Sequence, residues 1–146
     1  MRKGGVTVER TTLLALATGL WLLACGGPLE YQVASSPSAP GADAHITADV
    51  KEKEKQTQLN VEIVNLPPPD RVDPAATLYM AWYRKDPTTV WSRIAVLTYE
   101  PESREATLVS AVPEVRFEMQ ITAEPASESA SPAPTVVFKQ LVAKAD

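Results

Sequence analysis

The stretch "VRFEMQITAEP", residues 115–125, decides how the rest of the chain is read. Val115, Phe117, Met119 and Ile121 alternate with Arg116, Glu118, Gln120 and Thr122. A period of two marks a β-strand with one buried face, because successive side chains point to opposite sides of the pleat. Pro125 closes the run; it has no N–H to donate to a ladder.

The same pattern recurs outward from this stretch. Leu59, Val61 and Ile63 alternate with Asn60, Glu62 and Val64. Strands are expected over residues 30–34, 44–50, 57–66, 78–84, 91–99, 106–111, 115–123 and 135–142. Thirteen prolines fall mainly between these runs, and no window after the first 24 residues carries a helical stripe. Short strands punctuated by turns about every ten residues predict an all-β, immunoglobulin-like antiparallel sandwich of about 7–8 strands. A closed barrel is the second choice. The expected core is Ile46, Ala48, Val50, Leu59, Val61, Ile63, Trp82, Ile94, Val96, Leu108, Phe117, Met119, Ile121, Val137 and Leu141. Trp82 stands mid-strand, where immunoglobulin-like domains often bury a tryptophan, although both faces of residues 78–83 are apolar.

The start of the chain reads differently. Arg2, Lys3 and Arg10 precede an apolar run over residues 13–23, which is shorter than the roughly 20 residues a spanning helix needs. A basic start and a short apolar core ending in a small residue make a secretory signal. Leu22-Leu23-Ala24-Cys25 resembles the bacterial lipobox. That resemblance implies a diacylglyceryl group on the Cys25 thiol, cleavage before Cys25, and an anchor of three acyl chains. Residues 1–24 are then the signal peptide, 25–29 a lipidated tether and 30–146 the domain. Gly26 stands where an aspartate often retains lipoproteins in the inner membrane, so the outer membrane is expected. Cys25 is the sole cysteine, so the domain has no disulfide and must stand on its core. The 122 residues left are enough for one, burying about two-thirds of the unfolded surface.

The whole chain carries a formal charge of -4. Three bases and one acid leave with the signal, so the mature part is at -6. That excludes the basic face nucleic acid demands, and it does not resemble a polybasic membrane-surface binder. "KEKEK" at 51–55 reads as a solvated hairpin end, "PPPD" at 67–70 as a stiff connector, and "EPASESASPAP" at 124–134 as a low-complexity loop.

Little chemistry is visible. His45 is the only histidine, with Asp43 and Asp49 nearby, too few ligands for zinc. No nucleophile elbow or phosphate loop is present, and Glu100 and Glu102 flank Pro101 in a turn. No catalytic residue, metal or cofactor is expected. Among Tyr79, Trp82, Tyr83, Trp91 and Tyr99, the pair Trp91 and Tyr99 is the candidate ligand platform, able to stack on a glycan if exposed. The leading expectation is a non-catalytic envelope lipoprotein whose sandwich contacts an envelope protein. A glycan-binding module is the alternative.

Four stretches, Leu66-Pro67, residues 79–82, 117–125 ("FEMQITAEP") and 134–137 (within "APTVVF"), resemble the extracytoplasmic domain of anti-sigma-K factors. They cover about half the chain and are strand and turn residues. The resemblance implies a β-sandwich on the far side of the inner membrane. It carries over no sigma binding, since the family's sigma-binding helices and spanning helix are not matched here.

Overall fold

The computed structural model describes residues 26–145; Cys25 and the expected signal segment lie outside them. Nine strands form two antiparallel sheets. β1 (Leu29–Ala34), β2 (Asp43–Lys51), β3 (Gln56–Val64), β7 (Glu105–Val112) and β6 (Thr98–Glu100) make the first sheet in that spatial order. β5 (Ser92–Val96), β4 (Leu78–Arg84), β8 (Phe117–Glu124) and β9 (Val136–Val142) make the second. Apart from β1, this is the immunoglobulin order A-B-E-D against C′-C-F-G. β1 is an added outer strand that starts at Leu29, inside the stretch expected to be tether.

The core lies between the sheets and follows the alternation. Ile46 and Ala48 from β2, Leu59, Val61 and Ile63 from β3, and Phe117, Met119 and Ile121 from β8 are all buried. The quoted stretch therefore sits at the centre of the second sheet. It pairs with β4 from Leu78↔Glu124 to Arg84↔Glu118 and with β9 on its other side.

Three expectations fail at irregularities. The run expected as one strand over 91–99 is two strands in different sheets. The chain crosses at Leu97, which is buried and whose N–H donates to the Tyr79 carbonyl (2.9 Å). Within β5, Ala81 pairs with Ala95 but Trp82 with Arg93, so Ile94 is an extra residue in a β-bulge. Val96 therefore faces Met80 on the outer side and is 39% exposed, while Ile94 is only partly buried. A second bulge in β9 leaves Val137 between the pairs Ile121↔Phe138 and Thr122↔Val136. It puts Phe138 and Val142 into the core and turns Leu141 outward at 46% exposure. Val50 is half-buried at the end of β2.

Two tyrosines hold the polyproline crossing from β3 to β4, which includes the single-turn helix α1 (Pro69–Val72). The Tyr79 hydroxyl donates to the Pro67 carbonyl (2.6 Å) and the Tyr99 hydroxyl to the Leu66 carbonyl (2.9 Å). Their rings meet edge-to-face across the two sheets, 5.7 Å between centroids. Burial raises both phenols above their ordinary pKa, Tyr79 the further. One side of the sandwich is laced shut. The Tyr31 hydroxyl donates to the Ala143 carbonyl and accepts from its N–H (3.2 Å each), and Ser36 bonds Val136 and Val137.

Two measurements check this packing. Phe117→Ala should cost about 3–5 kcal/mol in denaturant melts, and Leu141→Ala less than about 0.5 kcal/mol. Equal losses would mean the faces are misassigned. The second concerns pH. A phenol with a raised pKa holds its proton more tightly when folded. Its contribution is complete below the ordinary phenol value of about 10 and falls as pH rises above it. Tyr79→Phe should flatten this alkaline loss of stability; an equally steep loss would contradict the clamp.

Candidate functional site

The outer faces and the two ends of the sandwich are the surfaces left for function. The outer face of the second sheet is closed at its centre, where Met80 and Trp82 are buried, and open towards its edges at Val96, Lys139 and Leu141. Trp82 is only 1% exposed, yet it lies on this face, outside the inter-sheet core where its mid-strand position suggested it would be. Its partners are polar. The indole N–H donates to the Thr122 hydroxyl (2.9 Å), which donates to the Glu124 carboxylate (2.5 Å). The carboxylate also accepts the Ala133 N–H (2.6 Å) and is 1% exposed. The 125–135 connection is folded back over this face. Arg93 reaches the Ser127 carbonyl, and the Thr135 hydroxyl donates to Asp73 (3.0 Å). The low-complexity composition of this segment marked it as a loop; its role as a cover over Met80 and Trp82 had no signature, because it depends on long-range bonds.

Trp91 and Tyr99 do not form a platform. Trp91, just before β5, lies half-buried with the Arg84 guanidinium 4.5 Å from its ring centroid. Arg84 is in turn paired with Glu118 (2.6 Å). Tyr99 belongs to the other sheet, and its ring and hydroxyl are both engaged in the crossing clamp. Trp91 stands just before β5 of the second sheet and Tyr99 within β6 of the first, so the two rings are not carried side by side on one sheet face.

The outer face of the first sheet is open and polar. Gln32, His45, Glu62 and Thr107 form one row across its strands, with Thr47, Asn60 and Val109 in the next. Val64 and Val109 are exposed within it. Asp43 and His45 share this face by their spacing, but Asp49 is paired with Lys51 (2.7 Å). Among the described residues, no three of His, Cys, Asp and Glu are grouped to hold a metal. Glu100 and Glu102 are exposed in the β6–β7 turn.

One end of the sandwich carries a cleft of about 790 Å³. Glu52 and Lys55 of the β2–β3 turn, Lys85 and Asp86 of the β4–β5 turn, and Glu114 and Arg116 of the β7–β8 turn line it. Hydrogen bonds from the Thr88 hydroxyl and N–H hold the Asp86 carboxyl below its usual pKa. Three acids and three bases in an open, solvated cleft make an ionic surface; no nucleophile or hydrogen-bonded acid–base pair is set among them. The alternating charges of 51–55 were legible as a hairpin end, and their meeting with two other turns was not.

No family model, no curated protein and no solved structure matches the chain.

Glu124→Ala would strand the Ala133 N–H and loosen the cover. It should cost about 1–3 kcal/mol in denaturant melts and make the buried tryptophan accessible to acrylamide. Unchanged stability and quenching would show that the carboxylate does not hold the segment.

Proposed function

We propose that the chain is a bacterial envelope lipoprotein, acylated on Cys25, whose sandwich is a non-catalytic interaction module held at a membrane. The outer membrane is the expected site, because Gly26 follows the lipidated cysteine. The observation that carries the reading is Leu22-Leu23-Ala24-Cys25 at the end of a basic, short apolar signal. Strand β1 supports it by starting only four residues past Cys25, so the domain follows its anchor with almost no spacer. Several acyl chains make such an anchor lasting, where one would hold only weakly.

The interaction role draws on how the polar groups are used. The buried Thr57, Tyr79, Thr122 and Glu124 and the partly buried Tyr99 all have their side-chain oxygens bonded within the fold. With the centre of the second sheet covered, the outer face of the first sheet is the broader open surface, and it suits a protein partner. The glycan reading finds no specific support, since Trp91, before β5, and Tyr99, in β6, share no sheet face.

Cys25→Ser should abolish incorporation of radioactive palmitate and leave an uncleaved precursor, with the protein lost from washed membranes. A Cys25→Ser chain that is still labelled and anchored would overturn the reading.

A further inference from the structure

The strand register fixes which end of the sandwich meets the anchor. Leu29, the first residue of β1, lies opposite Ala48 of β2, close to the turn that joins β2 to β3. The chain also ends there: Lys144 pairs with Glu52 of that turn (2.9 Å). The turn itself is a 3-10 segment over Glu52–Glu54, with Lys55 in the left-handed region at φ 53.

The tether is short enough to limit where this end can sit. From Cys25 to Leu29 a fully extended chain reaches about 14 Å. From the level of Ala48 to that of Lys51 the strand rises about 10 Å, and the turn projects further. A cysteine whose acyl chains are in the bilayer therefore brings the turn to the headgroups.

Charge is sorted along the same axis. Lys51, Lys53, Lys55, Lys85, Arg116 and Lys144 are exposed at the anchor end, against Asp49, Glu52, Glu54, Asp86 and Glu114, with Lys51 paired to Asp49 and Lys144 to Glu52. The opposite end gathers Asp43, Asp70, Asp73, Glu100, Glu102 and Glu105 against Arg71 and Arg104. The acidic net charge of the domain is thus gathered at the pole away from the anchor, while the anchor end, with its six bases against five acids, is close to balance.

We propose that the anchor end of the sandwich, through Lys51, Lys53, Lys55, Lys85 and Lys144, docks on anionic phospholipid headgroups and stands the domain end-on with its acidic pole outward. This rests on acylation of Cys25. Each base near an anionic surface contributes on the order of 1 kcal/mol, about a fivefold effect, within a Debye length of it. The far acidic pole is repelled by the same surface.

The test uses the lipidated full chain in vesicles of phosphatidylcholine, with and without phosphatidylglycerol, treated with an amine-acylating reagent and read lysine by lysine. Lys139, on the outer face of β9, is the internal reference. Lys51, Lys53, Lys55 and Lys144 should react about fivefold more slowly relative to Lys139 when phosphatidylglycerol is present, and added salt should remove the difference. The double variant Lys53→Glu, Lys85→Glu changes two exposed side chains and should lose the protection at Lys51 and Lys55 while melting like the parent. Equal rates in both vesicle types, on protein that carries radioactive palmitate, overturn the docking and leave the anchor standing. Absence of palmitate overturns both.

Discussion

The register between β1 and β2 is the constraint on which the rest of the molecule depends. Pairing Leu29 with Ala48 and Ala34 with Asp43 makes β1 antiparallel to β2 and sets its start beside the charged turn. A strand has two faces and period two, so a slip of one residue would turn Tyr31 and Val33 out and Glu30 and Gln32 in. The register is thus held by the core as well as by the ladder, and the Tyr31–Ala143 bonds pin it to the second sheet. One consequence is mechanical: the start of β1, to which the proposed anchor would be joined, shares one pole with the 51–55 turn, the mixed-charge cleft and Lys144.

The opposite pole is held by different physics. With a single cysteine, no disulfide within the domain can tie the sheets, and the edge-to-face pair of Tyr79 and Tyr99 joins them instead. The same two hydroxyls satisfy carbonyls of a Pro-rich crossing that has few N–H groups of its own. Leu97 completes the arrangement, since its N–H bonds to Tyr79 just where the chain changes sheets. Both crossings into and out of the β4–β5 hairpin are therefore governed from one place. The covered outer face, with Trp82 sealed over Thr122 and Glu124, adds a second, smaller buried layer.

The fold was legible where local pattern and burial agree. β2, β3, β7 and β8 read directly from alternation, and their expected core residues follow except Val50 at the end of β2; even the boundaries of β4 do. The sequence was mute where a tertiary bond decides. The bulges at Ile94 and Val137 shift the faces of β5 and β9, and no local feature marks them. The break at Leu97 needs the Tyr79 carbonyl opposite. Trp82, expected in the inter-sheet core, lies on the outer face instead; with Met80 and Ala81 making both faces of β4 apolar, alternation could not tell the two apart. The surface sites were less legible still. Aromatic content suggested Trp91 and Tyr99 together, but Trp91 precedes β5 and Tyr99 follows the crossing at Leu97 into the other sheet. Net charge suggested an acidic surface throughout, whereas the topology gathers the acidic excess at one pole.

The claim at the centre is that the anchor and the basic turn face the membrane together. It is tested most directly by placing a nitroxide at Lys53→Cys or at Glu102→Cys in the lipidated full chain and measuring its collisions with oxygen, which partitions into lipid, and with an aqueous nickel chelate. End-on seating puts the label at 53 in the headgroup layer, favoured by oxygen, and the label at 102 wholly in water. Equal chelate accessibility at both positions, or deeper immersion at 102, would contradict it.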